Sequence, residues 1–260
     1  MMLSVIIITK NEQAHIAECI ASVSFATEII VLDSGSTDAT CQIARELGAK
    51  VYHTTHWPGF GPQKNKALDL ATQPWVLSLD ADERVPASLA QEIQATLTNP
   101  QADAYTVARK SSFGDRWIQH SGWWPDRLVR LFKRDQGRFK DVAVHESVVV
   151  QGVTADLQGY LLHYPYDSLE TLITKTNQYS SAAAQQLHER GKRIGLLGIV
   201  AKAFWTFVRI YVIRRGFLDG KEGFILAGVA AAGSFFRYSK LWFLNKNVHW
   251  KPTPPTDDNQ

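Results

Sequence analysis

The chain has 260 residues, 45% hydrophobic and 20% charged, with 17 Gly and 10 Pro: enough to bury a full core, and not the composition of a disordered or fibrous chain. Twenty-eight Lys and Arg against 25 Asp and Glu leave a net charge of only +3, which argues against a general nucleic-acid binder. The two cysteines, Cys19 and Cys41, lie in segments of helical pattern without metal-ligand spacing, so a reducing compartment is expected rather than a disulfide framework or structural zinc.

The opening run to Ile8 has no basic flank and stops at Thr9-Lys10-Asn11-Glu12. It reads as a buried strand over 4–8, not a secretory signal, which keeps this part of the protein in the cytoplasm. Asn11 is placed to cap a helix carrying Ala14, Ala17, Ile20 and Ala21, and the β-branched run 28–32 is a second strand closed by Asp33. Ser36 or Asp38 starts a helix that Gly48 ends, and 50–53 is a third strand. A Pro/Gly loop, a helix over 63–71 and a strand over 75–79 follow, the last running into Asp80-Ala81-Asp82. This is the rhythm of an open α/β sheet flanked by helices, in which ligands bind at the carboxyl ends of strands. Asn11, Asp33, Asp80 and Asp82 all fall at such ends.

From 104 to 164 strands and turns rich in aromatics and Arg are expected, over 105–109, 127–132, 142–150 and 160–164. Asp167 and Glu170 have the spacing of a capping box for a polar helix to about Glu189. His163 and His188 are expected to be structural. Between Arg190 and Arg215 there are seven Lys/Arg and no acid, interleaved with large apolar side chains. The stretch 194–213 has about the ~20-residue length of a spanning helix. Its eleven Leu, Ile, Val and Phe residues contribute about −5 kcal/mol, and Lys202 and Arg209 oppose this by about 2.5 to 3.5 each. The near-balance favours helices lying in an anionic membrane surface, with Trp205, Tyr211, Tyr238, Trp242 and Phe243 at the interface. The run 224–236 is too short to span. The alternative is a soluble helical hairpin. After Trp250 the tail 251–260 has no large apolar residue and is expected to be disordered.

Two carboxylates one residue apart after a buried strand suit a hard divalent cation, which keeps its other positions for water and phosphates. An Asp-rich turn is the plainer reading of the same residues. In Asp33-Ser34-Gly35-Ser36-Thr37-Asp38 the Gly allows a tight turn, and the hydroxyls and helix-start amides offer donors. There is no GxGxxG, which disfavours a dinucleotide site. Ser4 to Glu12, Glu28 to Asp38 and Asp80-Ala81-Asp82, in that order, resemble the inverting glycosyltransferase family 2, of GT-A fold. Trp124-Pro125-Asp126-Arg127-Leu128-Val129-Arg130-Leu131-Phe132 and Val144-His145-Glu146 resemble a bacterial subgroup that glucosylates heptose of the lipopolysaccharide inner core.

The resemblance implies that Thr9, Asn11 and Glu12 line the nucleotide pocket, that Asp33 contacts uracil or ribose with Ser36 in the same turn, and that Lys64 and Asn65 hold the nucleotide. Asp80 would then contact sugar or ribose, and Asp82 would ligate Mg²⁺ or Mn²⁺. Inverting transfer needs a base for the acceptor hydroxyl; Glu146 is the first candidate and Asp141 the second, while the Gln-x-x-Arg-Trp motif of other members is missing. Trp123, Trp124, Arg127 and Arg130 suit a phosphorylated sugar acceptor, by stacking and by guanidinium forks.

The expected organisation is a nucleotide-sugar half over 1–103, an acceptor half over 104–189 and amphipathic membrane-associating helices over 190–250. The expected partners are a UDP-sugar, a lipid-anchored lipopolysaccharide core and an anionic membrane surface, at the cytoplasmic face of a bacterial inner membrane. Two alternatives share the amino-terminal motifs: transfer to a polyprenyl phosphate, as in dolichyl-phosphate mannosyltransferase relatives, and a membrane-bound sugar-nucleotide-binding protein without turnover.

Overall fold

The structure, a computed structural model, describes residues 2–140 and 147–246. They cluster into two compact units, one of residues 1–119 and 123–165, the other of 120–122 and 166–260.

The first unit is built on a nine-stranded sheet. Strands β1 (Leu3–Thr9), β2 (Glu28–Asp33), β3 (Lys50–His53) and β4 (Trp75–Asp80) are parallel, in the order β3-β2-β1-β4. The sheet continues through the two-residue β5 (Glu83–Arg84), β6 (Ala104–Phe113), β8 (Asp126–Lys133) and β11 (Thr154–His163) as β8-β6-β11-β5, with β7 (Arg116–Trp117) paired to β6. A separate antiparallel pair joins β9 (Gly137–Phe139) to β10 (Val148–Val150). Part of the strand expected over 142–150 lies outside the described residues.

β1 shows why its sequence is apolar without alternation. Leu3, Val5 and Ile7 pack with Val31, Leu77, Leu79 and with helices α1 (Ile16–Ala21) and α4 (Ala87–Thr98), while Ile6 and Ile8 pack with Ile30, Leu32, Val76 and helix α3 (Phe60–Leu70). A parallel strand covered on both faces favours apolar side chains throughout, and the one polar residue inside it, Ser4, is buried with its Oγ bonded to Glu28. Each Ile so buried contributes about 1.5–3 kcal/mol. In-register pairing sets Thr9 beside Asp33 and Ile8 beside Asp80, so the polar residues leave the sheet together at one edge.

Two expected caps are replaced. α1 begins after His15, with no side-chain cap, because the Asn11 side chain is bonded elsewhere. α2 (Thr40–Glu46) likewise begins after Ala39 without one.

The second unit holds α5 (Leu169–Glu189), α6 (Leu196–Val208) and α7 (Gly220–Lys246), with α5 and α6 both packed on α7. Ser168, not Asp167, caps α5, accepting from the Thr171 N–H at 3.1 Å. The Lys240 ammonium on α7 donates to Asn177 Oδ1 at 2.6 Å, Ser180 Oγ at 2.7 Å and Ser181 Oγ at 2.8 Å on α5. α6 widens into a π-helical turn at Arg209–Ile213, and a 3-10 turn over Gly216–Asp219 leads into α7. The apolar run 224–236 is the middle of this one 27-residue helix rather than a short separate element.

Candidate active site

At the ends of β1 and β2 the two loops are laced to each other. The Asn11 N–H donates to Ser36 Oγ and Asn11 Oδ1 accepts from the Thr37 N–H, both at 2.8 Å, with Asn11 itself left-handed at φ 57°. The Glu12 N–H donates to Thr40 Oγ1 at 2.8 Å. Thr9 is buried beneath them, its hydroxyl without a partner among the described residues. Asp33 is only 1% exposed, and its carboxylate accepts from the Gly35 N–H at 2.9 Å, the Ser36 N–H at 3.0 Å and Ser36 Oγ at 2.5 Å. Gly35, at φ 87°, takes the left-handed conformation this turn needs. Burial alone would raise the Asp33 pKa, but these donors hold it below the ordinary carboxylate range. Asp33 and Ser36 thus shape the turn that Asn11 reads.

Asp33, Cys41 and His53 place three possible ligand atoms within 4.8 Å of one another. Arg45 donates to His53 Nε2 at 2.8 Å, so the ring's own proton sits on Nδ1, which faces Asp33 Oδ2 at 3.4 Å. The trio is a hydrogen-bonded relay with no imidazole lone pair turned inward.

A second cluster surrounds the end of β4. Asp80 Oδ1 lies 2.8 Å from Lys64 Nζ, and its Oδ2 accepts from an Arg130 NH2 at 2.8 Å. The same Arg130 nitrogen reaches Glu83 Oε1 at 2.5 Å, and Glu83 Oε2 accepts the Asp80 N–H at 3.0 Å. Arg109 completes the group, 3.5 Å from Glu83 and 2.7 Å from Asp126. Lys64, Arg130 and Glu83 are all buried, and Glu83 is 0% exposed. Desolvation pushes the Asp80 pKa up, yet Lys64 and Arg130 more than offset it and hold the carboxyl well below its usual range. Asp80 is a fixed anion, with 29% of its side chain open.

Asp82 is placed differently. Its Oδ1 is buried without a hydrogen-bond partner among the described residues, and its Oδ2 lies 3.5 Å from His163 Nε2. Main-chain bonds fix both residues: β11 pairs with β5 so that His163 faces Glu83, and the Tyr164 N–H donates to the Asp82 carbonyl at 2.9 Å. His163 Nδ1 is bound to Ser111 Oγ at 2.8 Å, which turns Nε2 toward Asp82. A buried carboxylate oxygen without a partner is costly unless something completes it. An imidazole nitrogen beside it gives the donor set that a Mg²⁺ or Mn²⁺ ion accepts alongside phosphate oxygens. Asp82 and His163 therefore fit such an ion, whereas both Asp80 oxygens are already engaged by cations.

The other predicted residues scatter. Both amide atoms of Asn65 pair with the Phe139 backbone at 2.9 Å, docking α3 on β9. Arg130 faces Asp80, while Arg127 bonds the Leu157 carbonyl at 3.1 Å and lies 3.7 Å from Asp156. The β6–β8 register shifts between Tyr105 and Thr106 and passes over Arg130, so the two arginines do not stand at ordinary alternating positions of one ladder. Trp124 meets Tyr160 edge-on, ring centroids 5.9 Å apart, and Trp123 stands beside it in sequence. Glu146 and Asp141, the candidate bases, lie outside the described residues.

Residues 4–153 match the family described as Glycosyl transferase family 2. The chain belongs to that family. This glycosyltransferase is 35% identical over 252 residues to an uncharacterized glycosyltransferase of Rickettsia typhi, covering 92% of this chain and 86% of the relative. It is 31% identical over 268 residues to LpsC, a lipopolysaccharide core biosynthesis glycosyltransferase of Rhizobium meliloti, covering 98% and 96%. Among solved structures, Staphylococcus aureus TarS 1-349 in complex with UDP-GlcNAc superposes with a TM-score of 0.50 at 16% identity, over 96% of this chain and 93% of that one. The shared fold is GT-A, a mixed sheet flanked by helices.

Proposed function

We propose that this glycosyltransferase moves a hexose from a UDP-sugar, with UDP-glucose the first candidate, to a heptose of the lipopolysaccharide inner core, inverting the anomeric centre with the help of Mg²⁺ or Mn²⁺. The observation that carries the chemistry is the orphaned, buried Asp82 Oδ1 beside His163 at the carboxyl end of β4. The acceptor class is supported by the near full-length similarity to LpsC.

Asp82 and His163 would hold the cation, which offsets charge growing on the departing diphosphate. Asp80, kept ionised by Lys64 and Arg130, presents its open edge to a donor hydroxyl. Lys64 and Arg130 act through Asp80: their charges are already committed to it. The Asn11–Ser36–Thr37 lacing forms the wall against which the base and ribose rest, with Thr9 and Glu12 at its root. Asn65 secures that wall from behind by holding β9. Glu146, with Asp141 as the alternative, removes the proton of the attacking acceptor hydroxyl. Trp123, Trp124 and Arg127 are the acceptor contacts.

One stretch among the described residues, Leu196–Ile213, is long and apolar enough to cross a membrane by length and composition, and 6% of it is buried. Leu197 is 88% exposed and Phe204 69%. With Lys202 and Arg209 inside the stretch and Arg214 and Arg215 just after it, it suits a position in the anionic cytoplasmic leaflet, close to a lipid-anchored acceptor.

The test is UDP release by the detergent-solubilised full chain, with purified inner-core lipopolysaccharide, across UDP-glucose, UDP-galactose, UDP-N-acetylglucosamine and GDP-mannose, with metal and with chelator. Release that needs both acceptor and metal, from one UDP-sugar, is expected. Release with polyprenyl phosphate but not lipopolysaccharide would overturn the acceptor, and chelator-resistant release the metal.

A further inference from the structure

Between β7 and β8 the chain leaves the first unit for three residues, His120–Gly122, which cluster with the helices of the second. One buried carboxylate captures them. Asp219, 2% exposed in the turn between α6 and α7, accepts the His120 N–H at 3.1 Å on Oδ1 and 3.0 Å on Oδ2. Its Oδ1 lies 3.2 Å from His120 Nδ1, and its Oδ2 accepts Ser121 Oγ at 2.8 Å. The Ser121 N–H donates to the Arg214 carbonyl at 3.0 Å.

The loop is held in a shape it would not keep alone. Ser121 (φ 58°) and Gly122 (φ 82°) are successive left-handed residues, a conformation that a side-chain-bearing residue keeps only when its surroundings over-determine it. The approach is close on both sides. A Cβ on Gly216 would meet Ser121 Oγ at 2.9 Å, and one on Gly122 would meet the Arg214 side chain at 2.0 Å. Although Asp, His and Ser are all present, the hydroxyl donates to the carboxylate and not to the imidazole, so this is no nucleophile relay. Hydrogen bonds to a carboxylate are the strong kind, and three groups, the His120 N–H, the His120 ring and the Ser121 hydroxyl, converge on this one.

The residues that follow are Trp123 and Trp124, and the turn that holds the loop directly continues the exposed apolar stretch Leu196–Ile213. We infer that Asp219 is a positioning residue for the acceptor: it fixes the loop 120–122, from which Trp123 and Trp124 follow directly in the chain. This rests on the acceptor reading proposed above. It assigns no chemistry to Asp219, which acts only through the loop.

The experiment compares wild type, Asp219→Asn and Ser121→Ala in vesicles carrying inner-core lipopolysaccharide, measuring KM for acceptor, KM for UDP-glucose, kcat, and acceptor-independent hydrolysis of UDP-glucose. Asp219→Asn is expected to raise acceptor KM roughly tenfold, as loss of a charge-assisted hydrogen bond implies, with donor KM and hydrolysis unchanged and faster amide exchange at 120–124. Ser121→Ala removes one bond, keeps the carboxylate, and is expected to show the same split at a few-fold size; it decides the matter if Asp219→Asn does not fold. Unchanged acceptor KM in the folded variants overturns the inference and leaves the function standing. A parallel fall in every parameter, with normal amide exchange elsewhere, also overturns it. Wild-type protein without acceptor-dependent release overturns the functional reading, and the positioning role with it.

Discussion

The carboxyl edge of the parallel strands and the α6 region of the second unit break the ordinary rule of burial in opposite directions. At the edge, charged side chains are buried: Lys64, Glu83 and Arg130 are nearly closed to solvent, and each has an opposite charge within 3 Å. Along α6, apolar side chains such as Leu197 and Phe204 stand open. Buried polar groups normally find partners and large apolar patches normally find cover. The exceptions mark the two places where the proposed function puts a partner: a cation at the Asp82 oxygen that has none among the described residues, and lipid along the uncovered helix.

Breaking the buried charge set should have the largest effect on stability. Arg130→Ala leaves Asp80 and Glu83 as close carboxylates without their shared cation, and is expected to cost roughly 3–5 kcal/mol in urea unfolding. A change near zero would mean the network is not closed to water. The same principle can be tested by pH at the other end of the sheet. Glu28 accepts from Ser4 Oγ at 2.5 Å, Lys50 at 2.9 Å and the Thr72 N–H at 2.7 Å. Burial raises its pKa, but these donors win and bring it down to about 2. Because the folded value lies below the unfolded one, the stabilisation is present above about pH 4.5 and is lost as pH falls toward 2, and it amounts to an order of 3 kcal/mol. Glu28→Gln should flatten the unfolding free energy across that window; an unchanged acid slope would assign it to other groups.

The uncovered helix gives the smaller prediction. Phe204→Ser should weaken flotation with phosphatidylglycerol vesicles by roughly ten- to a hundredfold, the transfer free energy of one phenyl ring, without lowering the melting temperature. Unchanged flotation with a lower melting temperature would mean that Phe204 serves protein packing, as in the soluble-hairpin alternative.

β1 and β2 were legible because burial on both faces leaves nearly uninterrupted β-branched runs: 4–8 was expected and Leu3–Thr9 found, 28–32 expected and Glu28–Asp33 found; β3, mostly exposed, coincides with 50–53 for its place just after Gly48. α4 was missed, although Leu89, Ala90, Ile93 and Leu97 pack on the core at the spacing of one helix face. The pair Asp80 and Asp82 was visible as a motif, and the family resemblance gave each its expected part; what the sequence did not show is that Lys64 and Arg130, the latter 50 residues further along, engage both Asp80 oxygens. Arg127 and Arg130 were grouped as acceptor contacts because the sequence does not reveal their partners: Arg130 is bound to Asp80 and Glu83, Arg127 to the Leu157 carbonyl, and the β8 register is irregular between them. The sequence gives His163 no more than a structural place, because a lone His in a strand carries no spacing signal. Its place at the carboxyl end of β11 is the feature that supports the proposed metal role, since sheet ligands gather at such ends. Asn11 was read as a cap from its residue type alone, while its true bonds run to Ser36 and Thr37 on another loop.

The most direct test of the division between the two aspartates is calorimetric titration of UDP into wild type and Asp82→Ala, each with Mn²⁺ and with chelator. Mn²⁺ is expected to tighten UDP binding to wild type by roughly ten- to a hundredfold, in the range seen when metal-site partners are removed, and to leave Asp82→Ala at the chelator value with the fold intact by circular dichroism. Equal Mn²⁺ enhancement in the two proteins would contradict the assignment and place the metal elsewhere.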